Sequence, residues 1–314
     1  MSIIMAAHNQ MRIVGYIKDE PTVMGEDGMK TVMLNVRTTH RWTEDCFEHR
    51  VFEDVMVYFN DNNDRKLMSR MLEFKKMDLV DIKGVFSVLV LNKPSVCEHC
   101  GCRNIKYNGC ITVLWPISAI KRGNLEADYL RWKDQCRAYK TLTEEERVEG
   151  LMKDPKVDEP IPEKVLTMHF QEISNQVLVI GTLVSEPERL GTEKRPGCRY
   201  MLGIDRKYYI RTQSDVTADY PYVYSYGNQA LMDLRHLHKG SLVLADAFLR
   251  TREVQNNMVC GECGGTYQFQ DVAMELIPYS VEYLNNYWTD EDIANYEDEQ
   301  ARIGAGKSLA ALGL

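Results

Sequence analysis

Nine cysteines occur among 314 residues, and four of them fall in Cys97-x2-Cys100-Gly-Cys102-x7-Cys110. Thiolates are soft ligands, and four in one short stretch is the number a closed tetrahedral zinc site takes. With no coordination position left open, such a Zn2+ ion is structural: ligation supplies folding energy to a loop too polar to build its own core. His99 or His49 is an alternative to one sulfur, because Cys102 follows Cys100 so closely. A further pair, Cys260-x2-Cys263-Gly-Gly, lacks a second half; Thr266 and Tyr267 stand where its other ligands would be. It reads as free thiols, which we favour, as a site completed from elsewhere in the chain (Cys198, for example), or as a site shared with another chain. Cys46, Cys136 and Cys198 read as buried or free thiols. An odd, clustered set of cysteines points to metal ligation in a reducing compartment, not to a disulfide framework.

A second chemistry lies in aromatic residues mixed with cations. Trp42 and Phe47 are flanked by Arg37, His40, Arg41 and Arg50, and Tyr208 and Tyr209 are bracketed by Arg206, Lys207 and Arg211. In YPYVYSY, Tyr220, Tyr222, Tyr224 and Tyr226 alternate, so on a strand all four share one face. Arg250 and Arg252, two apart, also face one side. Flat π-faces for bases and cations for phosphates are what a groove for single-stranded nucleic acid requires, and stacking contributes roughly 1–3 kcal/mol per base. The tyrosine row is equally suited to an inter-subunit or barrel-surface contact. An arginine taken singly is more often a solvated surface charge.

The bulk numbers narrow the classes. A net charge of -8 disfavours holding duplex DNA by charge alone, but leaves room for a local basic groove. No apolar run approaches a membrane span, and MSIIMAAHNQ lacks the basic lead and apolar core of a signal peptide. A cytoplasmic protein is expected. A phosphate loop, a His-Glu-x-x-His site and a supported Ser/His/Asp order are all missing, so the chain does not read as an enzyme.

The elements that must position these residues are written twice. MRIVGYIKDEPTVM and QVLVIGTLVSEPERL carry Gly15 and Gly181 at the same point of two similar strands. The offset between the copies then stays nearly constant, from Cys97 and Cys100 against Cys260 and Cys263 to Trp115-Pro116 against Ile277-Pro278. Two copies of one module are the simplest account. The second copy predicts strands at 176–184, 198–205, 220–227, 241–249 and 269–277, with a short helix at 228–238. The first predicts strands at 11–17, 31–38, 53–59, 78–91 and 111–117, with a helix at 64–74. Five strands with a helix between the third and fourth is the order of an oligonucleotide-binding barrel. The expected chain is therefore all-β dominated: barrel 10–118 with a zinc loop at 96–111, helical linker 119–171, barrel 172–281 with a Cys-x-x-Cys loop at 258–267, and an acidic segment 282–314. Each cysteine pair falls between strands four and five. In the linker, Leu125, Tyr129, Trp132 and Cys136 have helical spacing, which suits either a spacer between the barrels or a helix packed on its own domain.

The second module resembles the bacterial and phage single-stranded DNA-binding proteins. The likeness rests on Asn175, Gly181, Glu186-Pro187, Gly227 followed by Ala230, Lys239-Gly240 and Leu249-Arg250-Thr251-Arg252. The first module carries it more loosely, in Gly15, Glu20-Pro21, RTTHRW and a displaced Gly84. The resemblance implies non-catalytic, largely sequence-independent binding and protection of single-stranded DNA in replication, recombination or repair. It also implies homo-oligomers, for which a tandem chain has its own solutions. Members usually end in an acidic tail with an Asp-Asp-Ile-Pro-Phe-like tip that recruits partner enzymes. Here residues 285–300 hold six Asp/Glu and no Lys/Arg, but the chain continues as ARIGAGKSLAALGL. That run either recruits replication proteins, covers the groove, or is a solvated helix face. The duplication and the cysteine loops point to a phage or mobile-element version, at work in a host cytoplasm. The rival reading is an adaptor subunit of a replication or transcription assembly built from the same barrels.

Overall fold

A computed structural model describes residues 8–26, 30–39, 52–60, 65–125, 127, 130–131, 134, 174–206 and 217–311. The chain divides into two compact units, one of Gln10–Val177 with Phe248–Met274, the other centred on Leu178–Ala247 and Glu275–Leu314.

In the first, β1 (Asn9–Ile17), β2 (Thr22–Met24), β3 (Thr31–Thr39) and β4 (Phe52–Asn60) precede helix α1 (Arg65–Leu72), β5 (Asp78–Val96) and β6 (Arg103–Asn124). Strands β1 and β3 pair, β3 pairs with β4, β4 meets β6 in parallel, β6 pairs with β5, and β5 returns to β1. That cycle closes a five-stranded barrel and removes its free edges. Alternation along the strands predicted at 31–38 and 53–59 sets its core: Val32, Leu34, Val36, Val55, Val57 and Phe59 point inward, and α1 adds Leu67, Met68 and Met71. Gly15 and Gly84 sit where strands cross too closely for a side chain. A Cβ there would stand 2.3 Å from the Arg37 carbonyl oxygen and 1.9 Å from that of Trp115. At Gly181, the counterpart of Gly15, the nearest approach is 3.1 Å.

The second unit is built from most of β7 (Ser174–Leu183), β8 (Glu188–Thr192), β9 (Arg195–Asp205), β10 (Ala218–Asp219), β11 (Tyr222–Tyr226), α2 (Gly227–His236), the start of β12 (Leu242–Val259) as far as Ala247, the end of β13 (Thr266–Asn285) from Glu275, and α3 (Asp290–Ala311), the rest of β12 and β13 belonging to the first unit. Here β9 joins β7 and β11, β11 meets β13 in parallel, and β13 and β12 complete the order back to β7. Asp233 of α2 is fully buried and accepts hydrogen bonds from Ser225 (2.6 Å), Gln229 (2.8 Å) and Tyr283 (2.8 Å). Burial pushes its carboxyl above the usual range against those donors. Ser225 lies on the inner face of β11, so this network fixes which way that strand faces.

Strands β5, β6, β12 and β13 run far past the ends predicted for them. β5 has 19 residues and β6 has 22, while β12 and β13 have 18 and 20. Stretches such as TREVQNNMV alternate too weakly to read as strand because neither face is fully buried, and it is the hairpin ladder that holds them extended. The Cys-x-x-Cys pairs thus stand at the tips of long antiparallel arms. Leu125, at the start of the linker, is buried against Tyr16 and Leu79. Tyr129, Trp132 and Cys136 lie outside the described residues, as does the linker from 135 to 173. Among the described residues no helix is long and apolar enough to cross a membrane.

Candidate nucleic-acid interface

On β11, Val223 and Ser225 are buried while Tyr222 and Tyr226 are 42% and 44% exposed, with Tyr220 more open and Tyr224 half-covered. The four tyrosines share the outward side, as their alternation predicts. The rings of Tyr222 and Tyr224 lie 6.4 Å apart. The Arg199 guanidinium sits 5.3 Å from the Tyr222 ring centre and donates to Glu188. Arg199 escaped the sequence reading, although a signal existed: Cys198, Tyr200 and Leu202 alternate inward on β9 and turn Arg199 outward beside Tyr224. The arrangement offers stacking faces beside a cation.

Arg206, expected on this surface, is buried instead. Its guanidinium forms a bidentate pair with Asp219, Nε to Oδ2 at 2.7 Å, because β10 brings that carboxylate beside the end of β9. Lys207, Tyr208, Tyr209 and Arg211 lie outside the described residues, and so do His40, Arg41, Trp42, Phe47 and Arg50.

In the first unit a groove of about 870 Å³ runs between the outer side of β3 and β4 and the two hairpin arms. Arg37 lines it but is engaged. Its Nε and Nη2 donate to Asp54 at 2.8 and 3.0 Å, and Lys18 donates to the same carboxylate at 2.7 Å. Burial alone would raise the Asp54 carboxyl; the Arg37 fork and Lys18 outweigh it and hold it below its usual range. Lys93 likewise pairs with Asp271. Arg252 lines the groove wall, exposed, while Arg250 is half-buried near Glu53. Acidic groups on the walls outnumber cations, five against four.

The cysteines group differently from their spacing. Cys97, Cys100, Cys260 and Cys263 bring their sulfurs within 4.8 Å of one another. Cys102 is outside this set and packs beside it, its carbonyl accepting from the Cys97 N–H at 2.9 Å. Cys110 lies on β6 opposite Val90, away from the tip. The expected Cys97, Cys100, Cys102, Cys110 group is therefore corrected: once the arms extend as strands, Cys110 is drawn down the ladder, and the second knuckle takes its place. Cys260 and Cys263, favoured as isolated free thiols, are the other half of one cluster. The two knuckles repeat each other. Gly101 N–H donates to the Cys97 carbonyl at 2.9 Å and Gly264 N–H to that of Cys260 at 3.0 Å, both glycines having positive φ. The Cys263 backbone N–H and the Asn104 amide lower the Cys260 thiol to about 6. Cys198 is buried in the other unit, where burial pushes its thiol up to about 12.

The acidic run forms the first half of α3, capped by reciprocal bonds between Thr289 and Asp292. Trp288 ties its start to α2, its backbone N–H donating to the His236 carbonyl at 2.8 Å.

Residues 174–262 match the family model described as the single-strand binding protein family. The wild-type single-stranded DNA binding protein of Thermus aquaticus is similar in structure, with a TM-score of 0.54, 12% identity, and coverage of 91% of this chain and 97% of that one. A deletion mutant of the same protein gives 0.53 at 12% identity, over 91% and 98%. At that identity the likeness is one of fold. No curated protein sequence matches the chain. The stretch from β7 to the tip of the second arm is thus similar to the single-strand binding protein family, and the fold it shares with β13 is that of an oligonucleotide-binding barrel.

Proposed function

We propose that this protein binds single-stranded DNA without sequence preference and without catalysis, protecting it during replication, recombination or repair. The observation that carries the reading is the outward tyrosine row of β11 with Arg199 beside it, inside the segment that matches the family. Bases stack on Tyr222 and Tyr224, and Arg199 exchanges Glu188 for a phosphate. Two barrels, 10–118 and 172–281, act in tandem across the linker 119–171, and the chain forms homo-oligomers. The aromatic and basic residues at 40–50 and 207–211 extend the path. The four-cysteine cluster takes Zn2+ in a structural role. The acidic start of α3 recruits replication proteins in the cytoplasm, that of a host if the gene is phage-borne.

Titration of a fluorescent dT oligonucleotide at several salt concentrations, against duplex and RNA competitors, tests the reading. Salt-dependent binding that Tyr222→Ala weakens supports it; no binding at low salt overturns it. The adaptor reading draws on the other unit, where acids outnumber cations along the groove. It is favoured if Asp54→Asn in that groove affects capture of protein partners and leaves oligonucleotide binding untouched.

A further inference from the structure

The two cysteine-bearing arms come from hairpins far apart in sequence, one in each module, yet they lie in the same compact unit. They meet at successive levels. Lys93 pairs with Asp271 low on the arms, and the Ser95 hydroxyl lies 2.7 Å from the Tyr267 hydroxyl above it. Near the tip His99 Nε2 lies 2.9 Å from the Thr266 carbonyl, and Gly261 N–H donates to Asn104 at 3.2 Å. The sulfurs close the series, Cys97 to Cys263 at 3.8 Å and Cys100 to Cys260 at 3.6 Å. A tetrahedron with metal–sulfur bonds of about 2.3 Å has sulfur–sulfur edges of about 3.8 Å. Apolar packing between the tips is small, with Cys102 and Met258 set against a three-residue core. That core is Cys97, Cys260 and Tyr267, whereas Val96 and Val259 are 59% and 68% exposed.

We propose that one thiophilic divalent cation, bound by Cys97, Cys100, Cys260 and Cys263, locks the two arms to each other and so holds the wall of the groove in place. On binding, the thiols give up their protons and the ion joins two knuckles that cannot complete a site separately. Both arms contribute wall residues, Lys93 and Pro94 from one and Arg252, Phe269, Gln270 and Asp271 from the other. Loss of the ion frees the arms to part and releases a strand lying in the groove beneath them. The lock itself stands on the geometry alone; only its effect on a DNA strand rests on the function proposed above.

Full-length protein prepared with zinc is expected to hold about one ion per chain by mass spectrometry. Joint Cys260→Ser and Cys263→Ser should abolish it, and joint Cys102→Ser and Cys110→Ser should leave it. The reverse pattern overturns the proposal. Amide hydrogen exchange without DNA reads the lock directly: a chelator should deprotect 93–105 and 252–271 together, and deprotection of one arm alone overturns it. On a labelled dT oligonucleotide, zinc removal should speed dissociation; an unchanged rate overturns the coupling to the groove. Joint deprotection in a protein that binds no oligonucleotide keeps the lock and removes the single-strand reading.

Discussion

The tyrosine face of β11 and the groove under the hairpin arms meet a nucleic acid on different terms. On β11 the rings are open and the neighbouring cation is shared with one exposed glutamate. In the groove Arg37 and Lys18 already share the Asp54 carboxylate, and Lys93 is paired with Asp271. A stacking face binds by contact area and is tolerant of sequence, with the neighbouring cation carrying its response to salt. A groove of paired ions gains a phosphate only by giving up a carboxylate partner, so its contribution is a difference between two similar terms. Cations counted in a sequence therefore overstate the charge a strand would meet.

The comparison is broken most directly on the tyrosines. Tyr222→Ala and Tyr224→Ala should each remove roughly 1–3 kcal/mol of binding, a fall of roughly 5- to 150-fold per ring in oligonucleotide titrations. Unaltered affinity would move the interface away from β11. Thr251→Val acts on the root of the second arm, where the Thr251 hydroxyl donates to buried Glu53 at 2.6 Å. Leaving that carboxylate short of a donor should cost about 1–3 kcal/mol in denaturant unfolding and disturb the groove. The tyrosine face should keep its affinity; joint loss would show that the two regions are not separable.

Asp54→Asn sharpens the comparison by weakening the hold on Arg37 and Lys18. If the groove receives phosphates, the slope of log affinity against log salt should steepen by roughly 0.7 for each one gained. An unchanged slope would assign the charge dependence to other cations.

The gentlest probe is pH. Arg12 hydrogen bonds, with Arg122 behind them, hold the Asp81 carboxyl at about 2 in the groove-bearing unit. Its folded value lies below the unfolded one, so its stabilisation is whole above pH ~4 and is lost as pH falls toward 2. Asp233 in the other unit is raised by burial, so the cost of its ionised form is relieved as pH falls through that raised value toward ~4. Denaturant midpoints from variants keeping only Trp115 or only Trp288 should respond to acid with opposite signs over these windows. Midpoints that move together would mean the units unfold as one.

Much of the barrel was legible because local rules decide it. Strand order, the inward alternation of β3 and β4, the single face of the β11 tyrosines and the glycines at 15 and 84 follow from side-chain period and backbone crowding. The arms were cut short in the reading because their polar alternation has no buried face, and the ladder alone keeps them extended. Where a charge finds its partner was invisible too: Asp219 takes Arg206 out of the surface, and Asp54 closes on Arg37, through strand pairings that no spacing announces. The cysteines divide the two cases. By itself the sequence determined that each Cys-x-x-Cys would form a knuckle between strands four and five, since Gly101 and Gly264 supply the turn that a short loop needs. Only the tertiary structure decided that the two knuckles face each other, because four sulfurs gather from two hairpins only after both ladders have carried their tips to the same place.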